Sequence, residues 1–223
     1  MGRWQRRSHR GGRREGIATS SSAVASAQGY ADGENLPLDL ALQILGRIVA
    51  TVEVPVTVDF EGGYSEDDHE LASSISKLLD LGVIGINFED RLVKGEGMYR
   101  IERQAKRISA IRKAAEKKGI PLFINARTDV FLGQTDDVAE AIERSRAYAA
   151  AGASGFFIPG LTRDSDIRKI VEESPLPVNV MVMGGVSPVD KLAKLGVARV
   201  SYGPIPYSKA MGTLKRDAEK LLR

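Results

Sequence analysis

Cysteine is absent from the 223 residues. Its absence excludes disulfides, thiolate metal sites and cysteine nucleophiles, and it fits a reducing, cytoplasmic setting. No apolar run reaches the roughly 18 residues that a membrane-spanning helix needs. Histidine is scarce, with only His9 and His69. His9 lies in a basic terminal stretch and His69 in an acidic helix start, so neither is given a role. Net positive charge is also missing from most of the chain. The formal net charge is +3, yet residues 1–16 (MGRWQRRSHRGGRREG) hold six arginines against one glutamate. Residues 17–223 therefore carry about −2 in all, and the basic character belongs to a tail.

That tail shows neither a 3.6 nor a 2.0 period and has little to bury, so residues 1–16 are read as disordered. A nucleic-acid arm lacks interleaved aromatics here, and an amphipathic membrane or transit segment lacks an apolar face. Residues 17–223 are read as one domain. A hydrophobic content of 43% is enough for a single well-buried core.

From residue 17 short apolar runs alternate with longer amphipathic ones. GIATS (16–20), VPVTVDF (54–60), VIGINFED (83–90), PLFINARTD (121–129), SGFFIPG (154–160), PVNVMV (177–182) and ARVSYG (198–203) read as strands. Their continuous apolar character suits parallel strands covered on both faces. Between them, Leu38, Ala41, Leu42, Leu45, Ile48, Val49 and Val52 recur at helical spacing. TDDVAEAIERSRAYAAAG predicts a helix capped by Thr135 and stopped at Gly152. ERQAKRISAIRKAAEKKG predicts another, ending at Gly119. LDLGVIGI, AAAGASGFF and AKLGVARVSY each place a glycine between a helix end and a new strand, a small internal repeat. Such alternation implies a parallel sheet with right-handed crossovers.

The polar residues choose between sheet types. Asp59, Glu61, Asn87, Glu89, Asn125, Arg127, Asn179 and Ser201 fall at or near the carboxyl ends of at least five strands. A barrel gathers such ends around one mouth, where barrel chemistry sits. The fold class expected is therefore α/β, a (β/α)₈ TIM-type barrel whose first strand is absent or replaced.

Asp59, Glu61 and Glu89 end successive strands, and carboxylates drawn together repel one another unless a cation joins them. An all-oxygen donor set suits Mg²⁺, or Mn²⁺, over zinc. Salt bridges to nearby Lys or Arg are the competing reading for each acid. Asp90 points to the opposite face. Arg127 shares a strand face with Asn125 and Asp129, where a guanidinium can grip a carboxylate or phosphonate; an ion pair with Asp129 or Glu89 is the plainer alternative. EGGY (61–64) supplies a tight turn.

Taken together, IATSSSAVASAQGYADGE, VPVTVDFEGGY, GVIGINFED, INARTDVFL, PVNVM and LGVARVSYGPIPY resemble the isocitrate lyase/phosphoenolpyruvate mutase superfamily, and its small mutase-like branch most of all. The resemblance runs from about Gly16 to near the C-terminus. It implies a barrel whose last helix is exchanged with a partner in a homodimer or homotetramer. It implies Mg²⁺ held directly at Asp59 and partly through water at Glu61 and Glu89. It also implies an active-site aspartate at Asp32 and a substrate-gripping arginine at Arg127. Ser20, Asn125 and Asn179 join Arg127 as expected substrate-binding residues. Substrates of the superfamily are 2-oxo or 2-hydroxy acids cleaved through a Mg²⁺-bound enolate.

Two departures stand out. The lyase branch carries a Lys-x-Cys-Gly-His loop, whereas the stretch after NFED reads RLVKGEGMYRIERQ, so isocitrate or methylisocitrate cleavage is not expected. Lys94 in that stretch reads as a solvated lysine, and the Lys-plus-Asn-Ser gating loop of phosphonopyruvate-handling members is not seen either. Nor is a first strand of the type Pro-Asn-x-Trp-Asp present, its place being taken by the arginine-rich tail. The expected activity is a Mg²⁺-dependent lyase acting on a C–C or P–C bond. The alternative is a catalytically impaired barrel acting as an oligomeric or binding protein. Neither a membrane nor a nucleic-acid partner is expected.

Overall fold

The computed structural model describes residues 16–133 and 136–222. The basic tail expected at 1–16 therefore lies, apart from Gly16, outside the described residues, as does Thr135. Seven parallel strands form one sheet in chain order. They are β1 (Ile17–Ala18), β2 (Val56–Asp59), β3 (Gly85–Glu89), β4 (Phe123–Arg127), β5 (Gly155–Ile158), β6 (Val178–Met181) and β7 (Arg199–Ser201). Each lies inside one of the seven runs read from sequence.

The connections carry the helices. α1 (Ser21–Ala27) and α2 (Leu38–Thr51) follow β1, and α3 (Asp68–Asp80) follows β2. α4 (Ile101–Lys117) follows β3, while α5 (Val130–Gly133) and α6 (Val138–Ala150) follow β4. α7 (Asp164–Glu173), α8 (Val189–Lys194) and α9 (Ile205–Leu221) follow β5, β6 and β7. A parallel neighbour can be reached only by such a crossover, and here every pairing is between consecutive strands. The repeated glycines stop helices as expected, with φ of +87° at Gly82, +68° at Gly119, +99° at Gly152 and +89° at Gly196. The start of α6 corrects the expected cap: Asp137 accepts from the Ala139 N–H at 2.8 Å and the Glu140 N–H at 3.1 Å.

The expected α/β barrel architecture with its first strand absent or replaced is present in part, as a curled parallel sheet of seven strands among the described residues. Among the described residues β1 and β7 are the free edges of a curled seven-stranded sheet, with no strand between them. Closure needs an eighth strand to carry the ladder across that seam.

Strand register sorts the side chains onto two faces. Val56, Val58, Ile86, Phe88, Ile124, Ala126, Phe156, Ile158, Val178 and Val180 are buried under the helices. The inner face is polar. Asp59, Asn87, Asn125 and Gly155 form one register row, and Glu89, Arg127, Phe157, Asn179 and Arg199 form the next. Period-two alternation thus gives β2, β3, β4 and β6 one apolar side and one chemically equipped side, while β5 turns Gly155 and Phe157 inward.

Asp90 lies behind the sheet, as its position in the alternation predicts. It is fully buried, accepting from Arg144 Nη1 at 3.0 Å, Tyr148 OH at 2.8 Å and the Asp129 N–H at 3.1 Å. Arg107 of α4 stacks between Phe88 and Tyr99, 4.8 and 4.3 Å from their ring centres, and donates to the Ser65 carbonyl at 2.8 Å. It fixes the loop after β2 from below. α9 buries none of its side chains, and Leu214 and Leu221 stand exposed. No helix among the described residues is long and apolar enough to cross a membrane.

Candidate active site

Asp59 ends β2 and is tied to the loop after β1. Its own N–H donates to Thr19 Oγ1 at 3.2 Å, and its Oδ2 accepts from Ser21 N–H at 3.4 Å and Ser21 Oγ at 3.2 Å. Oδ1 is buried and has no hydrogen-bond partner. Burial pushes this carboxyl above the usual aspartate range, against the pull of Arg127.

Glu61 sits two residues on, in left-handed backbone at φ +50°. Its Oε2 accepts from the Glu34 N–H at 2.6 Å, and Glu34 Oε1 accepts from the Tyr64 N–H at 2.8 Å. Glu34 and Tyr64 are left-handed too, at φ +55° and +64°. Three non-glycine residues in that region hold one another through these bonds, so the loops after β1 and β2 are strained and interlocked. The glycines of EGGY are needed in the same place. A Cβ on Gly63 would stand 2.4 Å from Leu71 Cδ1, with φ already +88°. Burial, helped by Asp32, Asp59 and Glu34, raises the Glu61 carboxyl to about 7.

Glu89 ends β3 and is almost wholly buried. Its Oε2 lies 2.8 Å from Arg127 Nη1. Burial nevertheless dominates that ion pair, and with the nearby Asp129, Asp59 and Glu61 it carries Glu89 to about 8. Arg127 is engaged at all three nitrogens, since Nε and Nη2 donate to Asp129 at 2.6 and 2.9 Å. Burial works against the guanidinium charge, but Glu89 and Asp129 hold its pKa above the ordinary value.

The other expected residues divide. Asp32 is exposed and close enough to add its repulsion to Asp59 and Glu61. Asn125 is buried and donates to Asn87 Oδ1 at 2.8 Å. Gly155 leaves room for it, because a Cβ there would stand 2.8 Å from Asn125 Oδ1. Ser20 caps α1, accepting the Ala23 N–H at 3.4 Å. Asn179 is buried with both amide atoms unpartnered. Lys94 is exposed.

Asp59, Glu61, Glu89 and Arg127 thus form one electrostatically coupled group, with Asp32 at its edge. Among the described residues no three acidic, histidine or cysteine side chains stand as a direct metal-ligand cluster. Mg²⁺ usually keeps several waters and takes only one or two protein carboxylates. The unpartnered Asp59 Oδ1 and the crowded negative charge fit such a hydrated ion. The sequence reading missed Glu34, Ser21 and Arg199. Alternation in ARVSYG would have found Arg199, one step of the period from Ser201; nothing local in GYADGE marks Glu34 as the link between two loops.

Comparison with known proteins bears on this arrangement. The family profile described as Phosphoenolpyruvate phosphomutase matches residues 8–222. The chain belongs to that family. An uncharacterized protein of Mycobacterium tuberculosis H37Rv is 33% identical over 87% of this chain and 72% of its own. The 2-methylisocitrate lyase of Escherichia coli K12 is 27% identical over 92% and 71%. A crystal structure from Burkholderia cenocepacia J2315, provisionally assigned as a phosphonomutase, superposes with a TM-score of 0.89 at 42% identity over 92% and 85%. At 21% identity the fold is also that of a phosphonopyruvate hydrolase solved with oxalate and Mg²⁺, with a TM-score of 0.82 over 94% and 75%. The phosphoenolpyruvate phosphomutase family thus includes lyases and mutases, and the polar inner face sits where such a fold carries its chemistry.

Proposed function

We propose that this member of the phosphoenolpyruvate phosphomutase family is a Mg²⁺-dependent enzyme. It breaks a C–C or P–C bond of a small 2-oxo or 2-hydroxy acid by way of an enolate. One observation carries the reading: the buried Asp59 Oδ1 has no partner in the midst of Glu61, Glu89 and Asp32. When bound, a divalent cation supplies the Lewis acid that steadies enolate charge. Asp59 would hold the ion directly, and Glu61 and Glu89 would orient its water. Mn²⁺ is an acceptable substitute on the same donors. Arg127, kept charged and aimed by Asp129, would meet the acidic group of the substrate after exchanging its contact with Glu89. Asp32, exposed at the rim, is placed to hold or move a proton at the departing fragment. Ser20, Asn125 and Asn179 would line the substrate's path.

The bare α9, with its exposed leucines, supports assembly as a homodimer or homotetramer in which that helix is covered by another copy. Absence of cysteine supports a cytoplasmic setting. A second reading is favoured by the open seam between β1 and β7. A sheet with no closing strand among the described residues suits a catalytically impaired, oligomeric or binding protein.

Product release separates the two. Pyruvate or glyoxylate formation from oxaloacetate, phosphonopyruvate and methyl-substituted malates is measured with Mg²⁺ and with chelator. Mg²⁺-dependent turnover of one of them, lost in a folded Asp59→Ala variant, is expected. No turnover of any of the three supports the impaired barrel.

A further inference from the structure

We propose that Arg107 is a positioning residue for the acids of the inner face. By holding the Gly62 and Ser65 carbonyls from behind, it fixes Glu61 and so sets the affinity for a divalent cation. The cation half rests on the metal-dependent reading above; the loop half does not.

Arg107 is 1% exposed, the largest of the fully buried side chains. Every hydrogen bond it makes among the described residues goes to an uncharged oxygen. Nη2 donates to the Gly62 carbonyl at 2.5 Å and to the Ser65 carbonyl, and Nη1 donates to Gln104 Oε1 at 3.1 Å. Nε has no partner. A buried cation without a carboxylate is unfavourable, and an apolar side chain of similar volume often serves stability as well. Core packing alone therefore does not account for a guanidinium in this place.

The two stacked rings fix the guanidinium, and one of them is itself fixed. The Tyr99 N–H donates to the Asp90 carbonyl at 2.8 Å, and the Tyr99 carbonyl accepts from Arg144 Nη1 at 3.0 Å. What Arg107 grips is a turn that needs holding, since Glu61, Gly63 and Tyr64 all lie at positive φ. Non-glycine residues persist there only where their surroundings over-determine them. The hold extends to the next strand. Gln104 Nε2 donates to the Glu89 carbonyl at 2.9 Å, and the Glu89 N–H donates to the Glu61 carbonyl at 2.9 Å. Two side chains of α4 thus set the backbones of Glu61 and Glu89 against each other. Arg103, one turn earlier and half-buried, binds farther along the loop, at the Glu66 carbonyl and at Asp68. It is the natural control.

Amide hydrogen exchange of the full chain in EDTA, read by NMR, tests the loop. Arg107→Met is expected to speed exchange at Gly63 and Tyr64 at least tenfold and to leave β4 and β5 unchanged. Arg103→Met is expected to stay within threefold of wild type at both amides. Unchanged exchange there in folded Arg107→Met, an equal rise in β4 and β5, or an equal effect of Arg103→Met overturns the proposal. If the Met variant does not fold, Arg107→Lys replaces it, keeping the charge but losing the planar fork. At least threefold faster exchange at Gly63 and Tyr64 is then expected, and unchanged exchange overturns the proposal. Electron paramagnetic resonance of added Mn²⁺ reads the cation half. Binding is expected to weaken at least tenfold in Arg107→Met and less in Arg107→Lys, and equal affinity in all three proteins overturns that half. A wild type that binds no Mn²⁺ removes the metal-dependent reading, and the exchange result still decides the loop.

Discussion

Replacing Glu61 by Gln tests the electrostatics of the inner face in the absence of any ligand. The Glu61 carboxyl is raised from 4.5 to about 7, with burial as the leading cause. An acid whose pKa is raised in the folded state stabilises the protein below its unfolded value. That contribution is lost as pH climbs through the folded value. The window is thus about pH 4.5 to 7. A shift of about 2.5 units corresponds to roughly 3 kcal/mol, and solvent screening at the mouth brings it nearer to about 2 kcal/mol. Gln keeps an oxygen for the Glu34 N–H but has no charge to bury. Urea unfolding in EDTA at pH 5, 7 and 8.5 measures the difference. The variant is expected to be equal to or slightly less stable than wild type at pH 5, and more stable by about 2 kcal/mol at pH 8.5. Saturating Mg²⁺ is expected to narrow or reverse the gap, since wild type gains more from the ion. A stability difference that stays flat across the three pH values would refute the claim that Glu61 is held ionised at a cost.

Metal binding should release protons, because Glu61 and Glu89 titrate near 7 and 8. Apparent Mg²⁺ affinity should rise from pH 6 to pH 8.5, and calorimetry in buffers of different ionisation enthalpy reads the released protons. Asp90→Ala strips an acceptor from Arg144, Tyr148 and the Asp129 N–H at once, and should cost about 3 kcal/mol or more in urea unfolding. Gly63→Ala combines a left-handed φ with a Cβ 2.4 Å from Leu71, so a loss of about 2–4 kcal/mol is expected. Gly97→Ala, at φ +81° with nothing within 4 Å, should lose about 1 kcal/mol or less in the same assay.

Much of the fold was legible because it follows from alternation. A buried parallel strand must be apolar on the helix side, and Val56, Ile86, Ile124, Phe156 and Val178 announce their strands without outside context. Asp59, Glu89 and Arg127 were equally visible, since a charged residue at the end of such a strand has few reasons to be there. What escaped depends on distant partners. Glu34 matters through a carboxylate 27 residues away, which its own N–H donates to, and a backbone N–H 30 residues away, which its side chain accepts from, and no local pattern encodes that meeting. Arg127 shows the reverse limit. Its residue type allowed either a grip on substrate or an ion pair with Asp129 or Glu89, and only the geometry shows it paired with both. The choice of Thr135 as cap failed because Asp137, two residues later, places its carboxylate under the first free N–H groups of α6.

The seam between β1 and β7 has a consequence for solubility. Open sheet edges recruit strands from other molecules when they are long and flat. Here the two edges are two and three residues long, too short to template a stable intermolecular ladder. Among the described residues the seam between β1 and β7 therefore offers only short edges to a strand from another molecule.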